Sequence, residues 1–127
     1  MTTSRDKKVR VVRDFDRQFR ALDANGAVLI AVGANRLQSL TICITTGGGF
    51  LQIHDKGDLP PATANIIVSA VPVPATPSVI TLDWSDEGGL DFELGIVICL
   101  STTEATYTAP VGYAGHVTAF STPLRAL

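Results

Sequence analysis

The chain has 127 residues, 46% of them hydrophobic and 17% charged, with a formal net charge of −2. That length is one domain able to bury a core without disulfides or a metal, and the composition excludes a disordered body. A charge so close to zero excludes nucleic-acid binding by bulk attraction and leaves little repulsion between copies.

The few charges are unevenly placed. Residues 1–25 hold seven Lys or Arg (Arg5, Lys7, Lys8, Arg10, Arg13, Arg17 and Arg20) against four Asp. The rest of the chain holds only Arg36, Lys56 and Arg125 against eight acids. A basic arm therefore precedes an acidic body. No apolar stretch stands behind the opening MTTSRDKKVR, so no secretory leader is expected, and no run reaches the length of a membrane span. Within 9–22, Val9 and Val11 alternate as in a strand, while Val12, Phe15, Phe19 and Leu22 recur as on a short amphipathic helix. Both readings fit, and Asp-Ala-Asn-Gly at 23–26 ends either one. The expected division is a charged arm or short helix over 1–25 and a β-sandwich domain over 26–127.

From there strands follow at short spacing. Residues 27–32 are a continuous apolar run, stopped by Gly33. In 36–46 (RLQSLTICITT), Leu40, Ile42 and Ile44 share one face, and Thr41, Cys43 and Thr45 the other. A Gly-Gly-Gly break at 47–49 leads into 50–55 (FLQIHD), and the two stretches read as one interrupted strand pair. Residues 65–73 are apolar on both parities, with Ile66 and Val68 against Ile67 and Val71. Pro72, Pro74 and Pro77 mark the far end of that run as an edge or a turn. Residues 78–84 align Ile80, Leu82 and Trp84, and an acidic turn follows at 86–89. Residues 91–100 read as one alternating strand, with Phe92, Leu94, Ile96, Ile98 and Leu100 inward and Asp91, Glu93, Gly95, Val97 and Cys99 outward. Short strands at 106–108 and 116–120 flank a Pro-Gly loop.

About eight short strands without an intervening helix predict an all-β domain, a β-sandwich or jelly-roll with an N-terminal arm. The expected core is Leu40, Ile42, Ile44, Leu51, Ile53, Ile80, Leu82, Phe92, Leu94, Ile96 and Ile98. Cys43 and Cys99 lie in separate strand runs without metal-ligand spacing, so each is expected to be a free buried thiol, as suits a reducing cytosol.

Little in these strands is chemistry. The glycines at 47–49 are followed by a strand rather than a helix, so they read as a turn and not a phosphate cradle. His54 and Asp55 are a strand end and a loop start, and the other histidine, His116, is in a remote segment. Asp83, Asp86, Glu87, Asp91 and Glu93 are the densest acidic group, but their spacing matches no calcium loop. The group reads as a solvated acidic turn, with a docking patch for a basic partner at Asp83, Asp86 and Glu87 as the alternative. No Gly-x-Ser-x-Gly elbow is present, so no catalytic residue, metal or cofactor is assigned and the chain reads as a non-enzyme. Arg10, Arg13, Phe15, Arg17 and Phe19 are the candidate interface of the arm: aromatics to bury and arginines to pair at the rim.

The order of several short pieces carries a resemblance. Residues 33–55 (GANRLQSLTICITTGGGFLQIHD) are followed by a loop with Pro60 and Pro61, Val-Pro-Val-Pro at 71–74, and a strand ending Leu82-Asp83-Trp84. Then come Gly89-Leu90 with Phe92, Gly95-Ile96-Val97, Leu-Ser-Thr-Thr at 100–103 and Thr-Tyr-Thr at 106–108. Over 33–108 the chain resembles small β-sandwich virion proteins of tailed bacteriophages. The resemblance implies a capsid decoration or cement protein that bridges capsomers, made in the host bacterial cytoplasm and carried on the virion. Its implied partners are the major capsid protein or another virion protein, and its own copies as a homotrimer. The alternatives are a tail or neck component, or a carbohydrate-binding β-sandwich that stacks sugars on Trp84, Tyr107 or Tyr113.

Overall fold

The computed structural model describes residues 16–23, 26–46, 49–59, 67–74, 77–110, 112 and 114–124. Arg10, Arg13, Phe15 and Tyr113 lie outside them. The chain is an all-β sandwich of nine described strands in two antiparallel sheets. These are β1 (Asp16–Ala21), β2 (Ala27–Val32), β3 (Asn35–Thr46), β4 (Gly49–Asp55), β5 (Ile67–Val73), β6 (Ser78–Asp83), β7 (Leu90–Phe92), β8 (Gly95–Ser101) and β9 (Ala114–Pro123). The first sheet runs β1-β9-β3-β6, with β7 also paired to β3; the second runs β2-β8-β4-β5.

The segment that fitted both a helix and a strand is extended from Asp16 onward. β1 pairs antiparallel with β9 and forms the edge of the first sheet, so residues 16–21 belong to the sandwich. The two stretches read as a strand pair do not pair. β3 bonds to β9, β6 and β7, whereas β4 bonds to β8 and β5, so the glycine-rich break at 47–49 passes the chain from one sheet to the other. β5 is an edge strand, and Pro72 sits in it because its lost N–H costs no ladder bond on the open side. The segment 106–108 is not a strand.

The core lies between the sheets. Leu37, Leu40, Ile42 and Ile44 of β3, with Val117 and Ala119 of β9, meet Leu51 and Ile53 of β4 and Ile96, Ile98 and Leu100 of β8. Ile80, Leu82 and Trp84 are only partly buried, since β6 is an edge strand, but they pack against this cluster.

One expected core residue is not in it: Leu94 is 57% exposed. The alternation read through 91–100 breaks at Glu93-Leu94, where the chain turns over the Asp55 carboxylate. The backbone N–H groups of Glu93, Leu94 and Gly95 donate to its two oxygens at 3.1, 2.8 and 3.3 Å. Gly95 follows with φ 151, and a Cβ there would stand 2.5 Å from the Ala31 carbonyl oxygen and 2.6 Å from that of Lys56. Only glycine fits this junction, so the turn falls here and β8 starts afresh.

Val97 and Cys99 lie on the outer side of their strand as read, yet both are fully buried, so Cys99 is the free buried thiol expected while Val97 does not face solvent. β8 lies between β2 and β4 in its sheet, and the segment after it folds back over the sheet's outer side. Cys43 departs the other way: it is exposed rather than buried, and both cysteines are free.

Candidate interaction surface

The outer faces of the two sheets carry the polar and charged side chains, and they are built differently. On the second sheet, Gln52 and His54 of β4 point outward by parity yet are fully buried. The Gln52 amide nitrogen lies 2.8, 3.0 and 2.9 Å from the carbonyl oxygens of Thr103, Glu104 and Thr106. Carbonyls only accept, so this atom is Nε2 and its two N–H groups serve three acceptors. Ser101 ties the same segment from within: its Oγ accepts from the Thr103 and Thr108 N–H groups and donates to the Thr106 carbonyl. At the far end Pro110 closes on Gly26, where a Cβ would meet its ring at 2.9 Å.

Gln52 Oε1 is then left to accept from His54 Nε2 at 2.9 Å and from the Cys99 thiol at 3.7 Å. The imidazole proton therefore sits on Nε2, and Nδ1 is a bare acceptor with no hydrogen-bond partner among the described residues. Burial, helped by the charge of Lys56, lowers the His54 pKa to about 4, so the ring is neutral at pH 7. Burial, then the charge of Asp23, pushes the Cys99 thiol up to about 12. Tyr107 stands edge-on to His54 with ring centroids 6.4 Å apart, and burial raises its pKa. A protonated thiol and a neutral imidazole that both bond to one amide oxygen do not form a nucleophile–base pair. This cluster pins the segment 101–110 to the sheet.

The acidic turn is open to solvent. Asp83 ends β6, and Asp86 and Glu87 sit in the 3-10 turn Ser85–Glu87. The Ser85 hydroxyl and backbone N–H both donate to Asp83 Oδ1, which holds this carboxyl below its ordinary value. Asp91 is drawn away from the patch by Arg36, whose guanidinium contacts both carboxylate oxygens at 2.7 and 3.2 Å. That bond lowers the Asp91 pKa and raises that of Arg36. Among the described residues, no group of three or more His, Cys, Asp or Glu is placed to hold a metal ion.

Among the described residues no segment covers the outer face of the first sheet. The strand registers set its rows. Arg17, Phe120, Ser39 and Asp83 lie across β1, β9, β3 and β6; Phe19, Thr118, Thr41 and Thr81 form the next row; Ala21, His116, Cys43 and Val79 the one after. Phe19 is 68% exposed, Val79 65% and Phe120 38%. The Phe19 ring stacks on the His116 ring across the strands, with centroids 5.4 Å apart. Thr41 and Thr81 bond across the strands at 3.2 Å.

Of the predicted site residues, the structure thus puts Arg17 and Phe19 on this face and Asp83 at its opposite edge, with Asp86 and Glu87 just beyond. Arg17 and Asp83 share a row but are three strand spacings apart, roughly 14 Å, so they do not pair within one chain. Val79 and Phe120 were missed from sequence. The available signal was a large apolar side chain on the parity opposite to Ile80 and Leu82, or to Val117 and Ala119.

No protein-family model matches the chain, and no curated protein does. Among solved structures it is similar to the coat protein of Tobacco streak virus, at 16% sequence identity over 90% of each chain and a TM-score of 0.30. A score of 0.30 does not define a common topology.

Proposed function

We propose that this chain is a structural component of a tailed-bacteriophage particle, a decoration or cement protein that acts by covering and bridging subunits of the head. The observation that carries the reading is the open outer face of the first sheet, where Phe19, Val79 and Phe120 stand exposed among threonines on a braced sandwich. Large apolar side chains exposed across one rigid face suit a protein contact, and a rim of charge sets its partner and register. The ordered resemblance of 33–108 to small phage virion proteins supports the particle as the place of that contact. On a shell the contact repeats many times, so a weak single contact suffices to hold it. Asp83, Asp86 and Glu87 supply an acidic rim and Arg17 a basic group at the opposite edge, while Arg10, Arg13 and Phe15 precede Arg17 in the sequence.

The carbohydrate-binding alternative is less well supported. Sugar stacking needs an open aromatic face, but Trp84 packs against the core and Tyr107 against His54, and both are partly buried.

The test is to purify particles with and without the chain. Peptide mass spectrometry of intact heads should find it in stoichiometric amount, and heads that lack it should release DNA at lower temperature. Recovery with tails alone moves the role to the tail or neck; absence from particles refutes the reading. A second variant, cut before Asp16, reports on the basic segment. A cut at residue 20 would remove β1 with it.

A further inference from the structure

We propose that the outer face of the first sheet pairs with the same face of a second copy of this chain, about a two-fold axis that lies in the interface and runs along the strands. The argument rests on the register. A rotation about an axis parallel to the strands keeps each cross-strand row and exchanges the sheet edges. β1 then lies over the partner's β6, and β9 over the partner's β3. In the first row Arg17 stands over a second copy's Asp83, and Asp83 over a second copy's Arg17, so one sequence pair yields two ion pairs. In the next row Phe19 covers Thr81, and Thr118 meets Thr41. In the third, Val79 covers Ala21, and His116 meets Cys43.

The other in-plane axis, across the strands, fails by the same register. It keeps each strand over its own copy and reverses the rows. Arg17 then faces Ala21, and Asp83 faces Val79, so four charges lose water without gaining a partner. The pairing along the strands is therefore the one the charges accept. Aligned sheets pack about 30° apart because each is twisted, and threonine rows leave a surface even enough for that crossing.

Two further facts favour a second copy. Among the described residues neither Arg17 nor Asp83 has an ion-pair partner, and the Ser85 bonds fix the Asp83 carboxylate through Oδ1, which leaves Oδ2 to accept. The chain's low net charge also lets copies approach. Four strands about 4.8 Å apart and roughly 20 Å of strand length give a face on the order of 400 Å², below the usual area per partner. A reversible dimer of the free chain is expected rather than a permanent one, so the same face is released to the head proteins when the chain docks on the particle.

Sedimentation equilibrium of the full chain across micromolar to high-micromolar concentration, at low and high salt, reads the assembly. The expected result is a monomer–dimer equilibrium that weakens as salt rises. Arg17→Asp and Asp83→Arg should each raise the dissociation constant at least about tenfold, because each sets like charges face to face. The double exchange Arg17→Asp with Asp83→Arg should restore dimerisation, which a merely structural effect of either change would not do. Val79→Asp should abolish it without touching the Ser85 turn. A monomer at every concentration, a trimer, or a dimer indifferent to both charge reversals overturns the proposal. Dimerisation that appears only after removal of residues 1–15 also overturns it, by making that segment the face's occupant.

Discussion

The outer faces of the two sheets have similar alternating strands and opposite fates. On the second sheet Gln52, His54 and Cys99 are wholly buried, because the segment 101–110 folds back and binds the Gln52 amide through three carbonyls. On the first sheet Phe19, Val79 and Phe120 stand in solvent, because no described segment returns over them. The closed face buries two polar side chains, Gln52 and His54, and the open face leaves three large apolar ones, Phe19, Val79 and Phe120, exposed. Buried polar groups are tolerated where nearly all of their hydrogen bonds are made, and large apolar side chains left exposed on one face suit a contact.

The largest expected effect lies between the faces. Ile96→Ala removes a fully buried side chain from the shared core and should cost about 2–5 kcal/mol in chemical denaturation. A loss under about 0.5 kcal/mol would mean that the strand's inner side is misassigned.

Gln52→Ala tests the closed face. It leaves the carbonyls of Thr103, Glu104 and Thr106 without their donor, and His54 and Cys99 without their acceptor. A cost of roughly 2–4 kcal/mol is expected, with faster amide exchange in 101–108 than in β3. Unchanged exchange there would show that the segment is held by something other than this amide.

Acid sharpens the same contrast. His54 titrates near 6.5 in the unfolded chain and at about 4 when folded, because burial opposes its charge. Between these values the unfolded chain binds the extra proton, so stability rises with pH. The contribution is fully present above about pH 6.5 and is lost as pH falls through about 4. Wild type should lose up to about 3 kcal/mol more than His54→Gln between pH 7 and 4, read from paired denaturation curves. Parallel pH profiles would exclude His54 as the titrating group.

The smallest effect belongs to the open face. Val79→Ser should change monomer stability by less than about 0.5 kcal/mol, since the side chain is 65% exposed. A larger loss would show that this face is covered within one chain.

The periodicity of the strands was legible where one side faces the core and the other faces water. β3 and β4 follow their parity over Leu40, Ile42, Ile44, Leu51 and Ile53, as period-two alternation requires. The same rule misplaced Leu94, since the turn over Asp55 depends on a carboxylate that is about forty residues away in sequence. It placed Val97 and Cys99 on the correct side of their strand but not in the correct environment, because parity distinguishes two faces and says nothing about what covers each.

The candidate surface divides in the same way. Arg17, Phe19 and Asp83 stood out in the sequence as charge and aromatic content, but only as members of two unrelated groups. That they share one face, and one row of it, follows from β1 pairing with β9, β9 with β3 and β3 with β6. The sequence by itself determined the all-β class, most strand positions and the inner parity of the core, because these depend on neighbours two residues apart. Strand partners, the separation of β3 from β4, the closing of one outer face and the exposure of the other were decided only in the tertiary structure. Those outcomes depend on hydrogen bonds between segments tens of residues apart, and local alternation is the same whichever partner a strand takes.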